Sequence, residues 1–345
     1  MDISTKDGAG GKKMQSFLED MVLSIFGNGT VGDVGLGELD DGASFGSYII
    51  STDGHTVRPL FFRGGNIGKL ASCGTYNDVS VMGARPLLLT CSFIIQAGFK
   101  RDDLCRIMHS MKDVANEVGA PIVAGDTKVV EDPIGMYIST TGVGSSWEGL
   151  THNNNIISNT RTLHSQFITD AGLQPGDKII VSGTIGDHGI SLLAEREEIP
   201  LSGGLSSDVA PVWDIVRRAL EEGGVTAMKD PTRGGLSGAL NEMAHKSGAG
   251  ILVEERSIPV QPQTLAAADI LGINHLDVAN EGKVVMGVIQ EHADAVLAAI
   301  RSSPYGRNAA IIGEVTEEQR VFLRTAIGAR RLLDMPDGDP VPRVC

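Results

Sequence analysis

The segment Arg85–Lys128 reads RPLLLTCSFIIQAGFKRDDLCRIMHSMKDVANEVGAPIVAGDTK, and its periodicity decides the fold class. An apolar run at Arg85–Ile95 is followed by Leu104, Ile107, Met108, Met111, Val114, Ala115 and Val118, which recur at helical spacing. A second apolar run, APIVAGDTK, closes the segment. A run of strand length, an amphipathic helix and another such run give an α/β pattern. Shorter runs of the same kind flank it, GSYIISTDG upstream and GMYISTTGVG downstream.

Near the N-terminus, Met14, Phe17, Leu18, Met21, Val22, Ile25 and Phe26 predict a helix ending at Gly27. The glycine loop DGAGGKK precedes it, so Gly10, Gly11 and Lys12 are candidates to face an anion. A helix N-terminus offers both free N–H groups and a favourable dipole. From about Ser145 to Gly172 the chain turns polar and reads as a linker. Beyond it lie PGDKIIVSGTIGDHGI, helix candidates around 212–220, 235–245 and 293–300, and the apolar runs GILVEE and KVVMGVI. Two α/β domains joined near residues 150–170 account for this order.

The totals exclude several functions. With 345 residues the chain can build two cores. A net charge of −14 opposes binding to a nucleic-acid backbone. No apolar run reaches the roughly 18 residues of a membrane span, and the first residues show no apolar leader. The 4 cysteines, Cys73, Cys91, Cys105 and Cys345, form no C-x-x-C, which argues against a zinc site or a disulfide framework and for a reducing, cytoplasmic setting.

Chemistry is concentrated in carboxylates that end apolar runs within glycine-bearing turns. They are Asp40 and Asp41 in LDDGA, Asp53 in STDG, Asp78 in YNDVSVMGA, Asp126 in AGDTK and Asp230 in MKDPTRGG. Any one reads equally well as a turn or cap residue. As a set of hard oxygen ligands without Cys or His, they suit Mg²⁺ carrying nucleotide phosphates. The standard nucleotide motifs fail. RGGNIGKL has Arg63 where a P-loop begins with glycine, and Leu70 where it needs Ser or Thr. Lys128 follows Asp126 by two residues and could neutralise transferring charge. Glu281 and Lys283 in VANEGKVV lie in a turn, with Glu281 a candidate general base. His55 in DGHTV is open to either reading, as is Arg233 before a Gly-Gly helix start.

Ten of these stretches together resemble one family. DGAGGKKM, LDDGA, STDGHTVRPLFF, GGNIGKLA, GTYNDVSVMGARP, AGDTKVV, VSGTIGDHGI, DPTRGG, NEGK and the terminal PRVC are similar to the HypE family of hydrogenase maturation factors. The wider superfamily is that of aminoimidazole ribonucleotide synthetase, selenophosphate synthetase and thiamine monophosphate kinase. The resemblance runs from residue 7 to 345. It implies an ATP-dependent carbamoyl dehydratase whose substrate is its own tail. A carbamoyl group placed on Cys345 by the carbamoyltransferase HypF is converted from S-carboxamide to S-cyanate. The cyanide then passes to iron in a HypC–HypD complex and becomes a ligand of the [NiFe] hydrogenase centre.

The implied fold is two-domain and α/β: residues 1–155 for ATP binding and dimerisation, 156–333 as a second α/β domain, and 334–345 as a mobile tail. The N-terminal sheets of a homodimer pair into a barrel-like layer. The implied roles are catalysis for Cys345, Glu281 and Lys128. ATP contacts fall to Gly10, Gly11, Lys12, Asp53, His55, Asn77, Thr127 and Arg233, and Mg²⁺ to Asp40, Asp41, Asp78, Asp126 and Asp230. The tail DMPDGDPVPRVC has three prolines and little that is apolar, so an extended arm is expected. Its last eleven residues could reach roughly 35 Å at about 3.1 Å per residue. Sulfur at its tip is both a good nucleophile and a tolerable leaving group.

Two other readings compete. One is a superfamily relative that phosphorylates a free small molecule. A selenophosphate synthetase would need a reactive cysteine or selenocysteine early in the chain, and residues 1–72 contain no cysteine. The other is a non-catalytic, ATP-dependent scaffold that docks partners through the arm. Phosphate release from the carbamoylated protein separates scaffold from enzyme.

Overall fold

The strand Arg85–Gln96 pairs antiparallel with Met136–Ser145 on one side and parallel with Ile122–Val130 on the other. The helix Arg101–Val118 makes the crossover that parallel pairing requires. Tyr48–His55 and Ala43–Phe45 extend this sheet antiparallel beyond Met136–Ser145. The protein's structure is a computed structural model that describes residues 2–199, 204–338 and 340–341.

Alternation along each strand sorts the faces. Ile49, Ser51 and His55 point inward beneath the helix Ile67–Val81, while Tyr48, Ile50 and Thr52 are exposed on the opposite face. Residues paired across the ladder share a face, so Ile94 and its neighbours Tyr137 and Lys128 lie on that bare face too. Among the described residues, Ile122–Val130 pairs only with Arg85–Gln96, which leaves it an edge strand exposed on both sides.

The second sheet runs, in spatial order, through Arg330–Leu332, Val321–Arg324, Gly250–Glu254, Ala310–Thr316, Lys178–Val181, Val285–Val288 and Val225–Lys229. Lys178–Val181, Val285–Val288 and Val225–Lys229 are buried at nearly every position because both faces are covered, whereas Arg330–Leu332 is exposed throughout. Ile180 and Met286 pack with Ile215, Val216 and Val296 of the helices Trp213–Glu222 and Ala293–Arg301. Ile179, Val181 and Val285 pack with Leu236, Leu240 and Met243 of the helix Gly235–Ser247.

One expectation needs correcting. The polar stretch after Ser145 is not a loose linker: Glu148–Ile157 is a helix that buries Leu150, Asn153 and Ile157. Asn153 Nδ2 donates to Val225 O at 3.0 Å, and Val225 N donates back to Asn153 Oδ1 at 2.8 Å. The amide thus serves as a ladder partner for the edge strand beginning at Val225, which is why a core position reads as polar. Farther on, Arg161 grips Asp177 with two hydrogen bonds of 2.7 and 2.8 Å. The N-terminal helix spans 11–26, as its spacing predicts, with a wider π-type turn at Leu18–Leu23. Its apolar side is not buried within the chain, since Met21, Ile25 and Phe26 are exposed.

The tail makes contacts among the described residues that its composition does not predict. Lys12 N donates to Pro336 O at 3.2 Å, and Asn241 Nδ2 to Leu333 O at 2.9 Å. Val341 is fully buried in a cluster with Val57, Phe62, Val209 and Val278. Composition alone understated how much one valine in the right groove can hold. Cys345 lies outside the described residues.

Removing the Asn153 amide leaves two buried backbone groups of Val225 without partners. Each such loss costs about 1–3 kcal/mol. Asn153→Ala is expected to lower the denaturant midpoint by an amount equivalent to about 2–3 kcal/mol, measured by circular dichroism.

Candidate functional site

Seven acidic side chains from both domains, Asp40, Asp41, Asp53, Asp78, Asp230, Glu242 and Glu281, line one cavity of about 430 Å³. Asp53 comes from the inner face of Tyr48–His55, and Asp78 from the helix Ile67–Val81. Asp41 sits in the turn before Ala43–Phe45, Asp230 follows the strand Val225–Lys229, and Glu281 lies in the turn before Val285. Gly10, Gly11 and Arg233 also line this cavity, as does Met335 of the tail. Of the carboxylates, only Asp230 directly follows a strand; Asp53 lies within a strand and Asp78 within a helix, so the cleft between the domains gathers them and not the glycine-bearing turns that the sequence suggests.

Electrostatics here are unfavourable in isolation. Burial first, then Asp230, Asp53 and Asp41, pushes the Asp78 carboxyl well above its usual range, although Ser51 Oγ donates to it at 2.7 Å. Burial and Asp41 push Asp230 up to about 8. Asp40 also rises to about 8, through burial and Asp170, while accepting hydrogen bonds from Asp41 N and Asp170 N. Glu281 is raised by burial, Asp230 and Asp208, with Arg233 acting in the opposite sense. Asp41 Oδ2, Asp230 Oδ2 and Glu281 Oε1 are buried without hydrogen-bond partners among the described residues. Such a nest is arranged for an incoming positive charge.

A residue that the sequence reading passed over partly answers it. Lys229 Nζ lies 3.0 Å from Asp41, 3.3 Å from Asp170 and 3.3 Å from Glu242. Burial works against its charge, yet these carboxylates hold it well above the usual lysine value. Lys246 adds 2.7 Å and 2.8 Å bonds to Asp170 and to Leu39 O, so two cations tie the LDDGA turn to the second domain. The available signal was position: Lys229 closes an apolar run immediately before Asp230.

Other expected residues are placed differently. Asn77 is buried outside the cavity lining. Its amide donates to Ala210 O at 3.1 Å and Glu281 O at 3.2 Å and accepts from Val212 N at 2.8 Å, which uses it up as a bridge between domains. His55 is buried behind Asp53 and outside the cavity lining, with Nε2 3.6 Å from Asp53 Oδ2 and 3.2 Å from Thr140 Oγ1. Lys12 is exposed outside the cavity lining, and its N–H is already engaged by Pro336.

Asp126, Thr127 and Lys128 lie on the edge strand Ile122–Val130, apart from this cavity. Lys128 Nζ pairs with Asp126 at 3.0 Å. The ladder puts Asp126 and Lys128 on the bare sheet face, opposite Asp53. Lys128 and Glu281 therefore do not share a site within one chain.

Two sheets bracketing a nest of carboxylates beside a glycine loop define a class. Residues 39–146 match the AIR synthase related protein N-terminal domain, and residues 174–326 its C-terminal domain. Within that class the chain belongs to the HypE family of hydrogenase maturation. It is 42% identical to the carbamoyl dehydratase HypE of Cupriavidus necator, over 98% of this chain and 93% of that one. It superposes with a TM-score of 0.84 on the HypE of a HypE–HypF complex (39% identity, covering 93% of this chain and 100% of that one). With a HypE in complex with ATP the TM-score is 0.79 at 36% identity, with both chains fully covered.

The raised Asp230 carboxyl has a consequence for stability. Its folded pKa of about 8 lies above the unfolded value of about 3.9, so the folded protein binds more protons between the two. Stability of the protein without ligand should therefore fall as pH rises from about 4 to about 8, and level off above. Asp230→Asn should reduce that slope, read from thermal melts across the range. An unchanged slope would show that Asp230 is not the buried acid described.

Proposed function

We propose that the chain dehydrates the S-carboxamide on its own Cys345 to S-cyanate at the expense of ATP, providing cyanide for the iron of a [NiFe] hydrogenase centre. The observation that carries this reading is that Met335, at the start of the tail, lines the same cavity as the glycine loop, the carboxylates and Glu281. Gly11 has a positive φ of 69°, and a Cβ there would collide with Pro336 O, so the loop is shaped to receive the tail's backbone.

The chemistry is a loss of oxygen and protons from one small group. The amide oxygen takes the γ-phosphoryl group, two protons leave nitrogen, and phosphate departs as the C≡N bond completes. Glu281, close to Arg233 in the second domain, is positioned to take a proton from nitrogen. Its base form needs nearby positive charge, because burial alone favours the protonated acid; Arg233 provides some. Arg233 and the Gly10–Gly11 turn face the cavity where phosphates would lie.

Mg²⁺ suits the donor set. Buried Asp41 Oδ2 and Asp230 Oδ2 lack hydrogen-bond partners, and Asp78 stands with them. Among the described residues no three acidic, His or Cys side chains already converge as a metal site. That matches an ion held by one or two carboxylates, water and phosphate oxygens. When bound it would neutralise charge on the transferring phosphoryl group.

Lys128 enters through a second copy. The bare sheet face, with Ile50, Ile94 and Tyr137, is where two chains would pair as a homodimer, and Lys128 lies on it. HypF is the expected carbamoyl donor enzyme and a HypC–HypD complex the acceptor, in the cytoplasm.

Three outcomes test the reading. Glu281→Gln should bind ATP and accept the carbamoyl group yet stall as the carboxamide, losing about 10²–10⁴ in rate; the mass of the Cys345 peptide over time reports it. Asp78→Asn should weaken Mg²⁺–ATP binding sharply in calorimetry while Cys345→Ala leaves it intact. Chains carrying Lys128→Ala and Glu281→Gln, each inactive alone, should regain activity when co-expressed, because the two residues would then meet across the dimer.

A further inference from the structure

The NEGK turn is pinned at every residue. Asn280 Oδ1 accepts from Gly186 N at 2.7 Å, and its amide donates to Pro231 O at 3.2 Å. Glu281 is held by its backbone on both sides. Its carbonyl accepts from Asn77, and its N–H donates to Asp208 Oδ1 at 3.0 Å. A Cβ on Gly282 would collide with Asp208 O, so the strap carrying Asp208 lies directly on the turn. Lys283 Nζ is 3.0 Å from Asp208 Oδ2, and both side chains are almost wholly buried, at 10% and 4% exposure.

This arrangement does not look like turn chemistry alone. A hairpin turn needs no buried ion pair, and burying two charges is costly unless geometry repays it. The strap, itself in the second domain, is also tied to the first: Ser207 N donates to Arg63 O at 2.9 Å and Val212 N to Asn77 Oδ1. Asp208 therefore stands where the domain junction meets the Glu281 main chain. Glu281 Oε1 has no hydrogen-bond partner among the described residues. Its aim depends on its backbone.

We propose that Asp208, oriented by Lys283, is a positioning residue that holds Glu281 for the proton-transfer step. The proposal rests on the reading of Glu281 as the base. A misplacement of about 1 Å at a reacting group can cost about 10²-fold in rate, and one hydrogen bond to a turn amide governs a shift of that size.

The test is single-turnover dehydration of the purified, carbamoylated full-length protein, followed by the mass of the Cys345 peptide, with ATP binding by calorimetry for every variant. Asp208→Ala should slow dehydration by about ten- to a hundredfold while ATP affinity stays within about threefold. Lys283→Met should also slow it, because Asp208 loses its orienting partner. The double variant Asp208→Asn/Lys283→Met keeps an acceptor oxygen for Glu281 N–H and leaves no buried lone charge, so it should recover most of the rate. If Asp208→Ala does not fold, the comparison of Lys283→Met with the double variant decides, and equal slowness in both overturns the proposal. Slowing matched by an equal loss of ATP affinity also overturns it, as general damage. A normal rate in Asp208→Ala beside a stalled Glu281→Gln removes Asp208 and leaves the base in place. A normal rate in Glu281→Gln removes the base and this proposal together.

Discussion

One buried amide holds the arrangement together. Asn77 sits on a helix of the first domain and spends all its hydrogen-bonding capacity on Ala210, Val212 and Glu281 of the second. Its neighbour Asp78 on the same helix faces the cavity. A rotation between domains would break three buried hydrogen bonds, each expensive to leave unmade. The carboxylates of one half are thus kept in register with Glu281 of the other. Lys229 and Lys246 strengthen the same junction from the far side through Asp41, Asp170 and Leu39.

That junction explains why so much acid can be buried. Asp78, Asp230 and Glu281 would each prefer water or a proton, and packing them together raises all three. Stability is given up to hold a site that is complementary to charge that is not yet there. Function of this kind is commonly placed where the local energetics are worst.

The tail has contacts of its own. Val341 gives it a docking point in the core, and the Pro336 carbonyl gives it one on the glycine loop.

Much of this was legible in the sequence. Period-2 and period-3.6 patterns predicted the strand–helix–strand core and helices around 212–220, 235–245 and 293–300, which the structure places at 213–222, 235–247 and 293–301, and of the six aspartates singled out all but Asp126 line the cavity. Local pattern suffices there because burial on one face or both is written in residue order. Ten short motifs identified the family. What the sequence could not rank was partnership. Nothing local distinguishes Asn77, which bridges domains, from a ligand-binding amide, or Asn153, which completes a sheet edge, from a linker residue. Lys229 looked like the end of a strand, and Lys128 looked like a neighbour of the site although the sheet stands between them. These assignments depend on which distant backbone groups and charges come within hydrogen-bond range, and only the tertiary structure sets those distances.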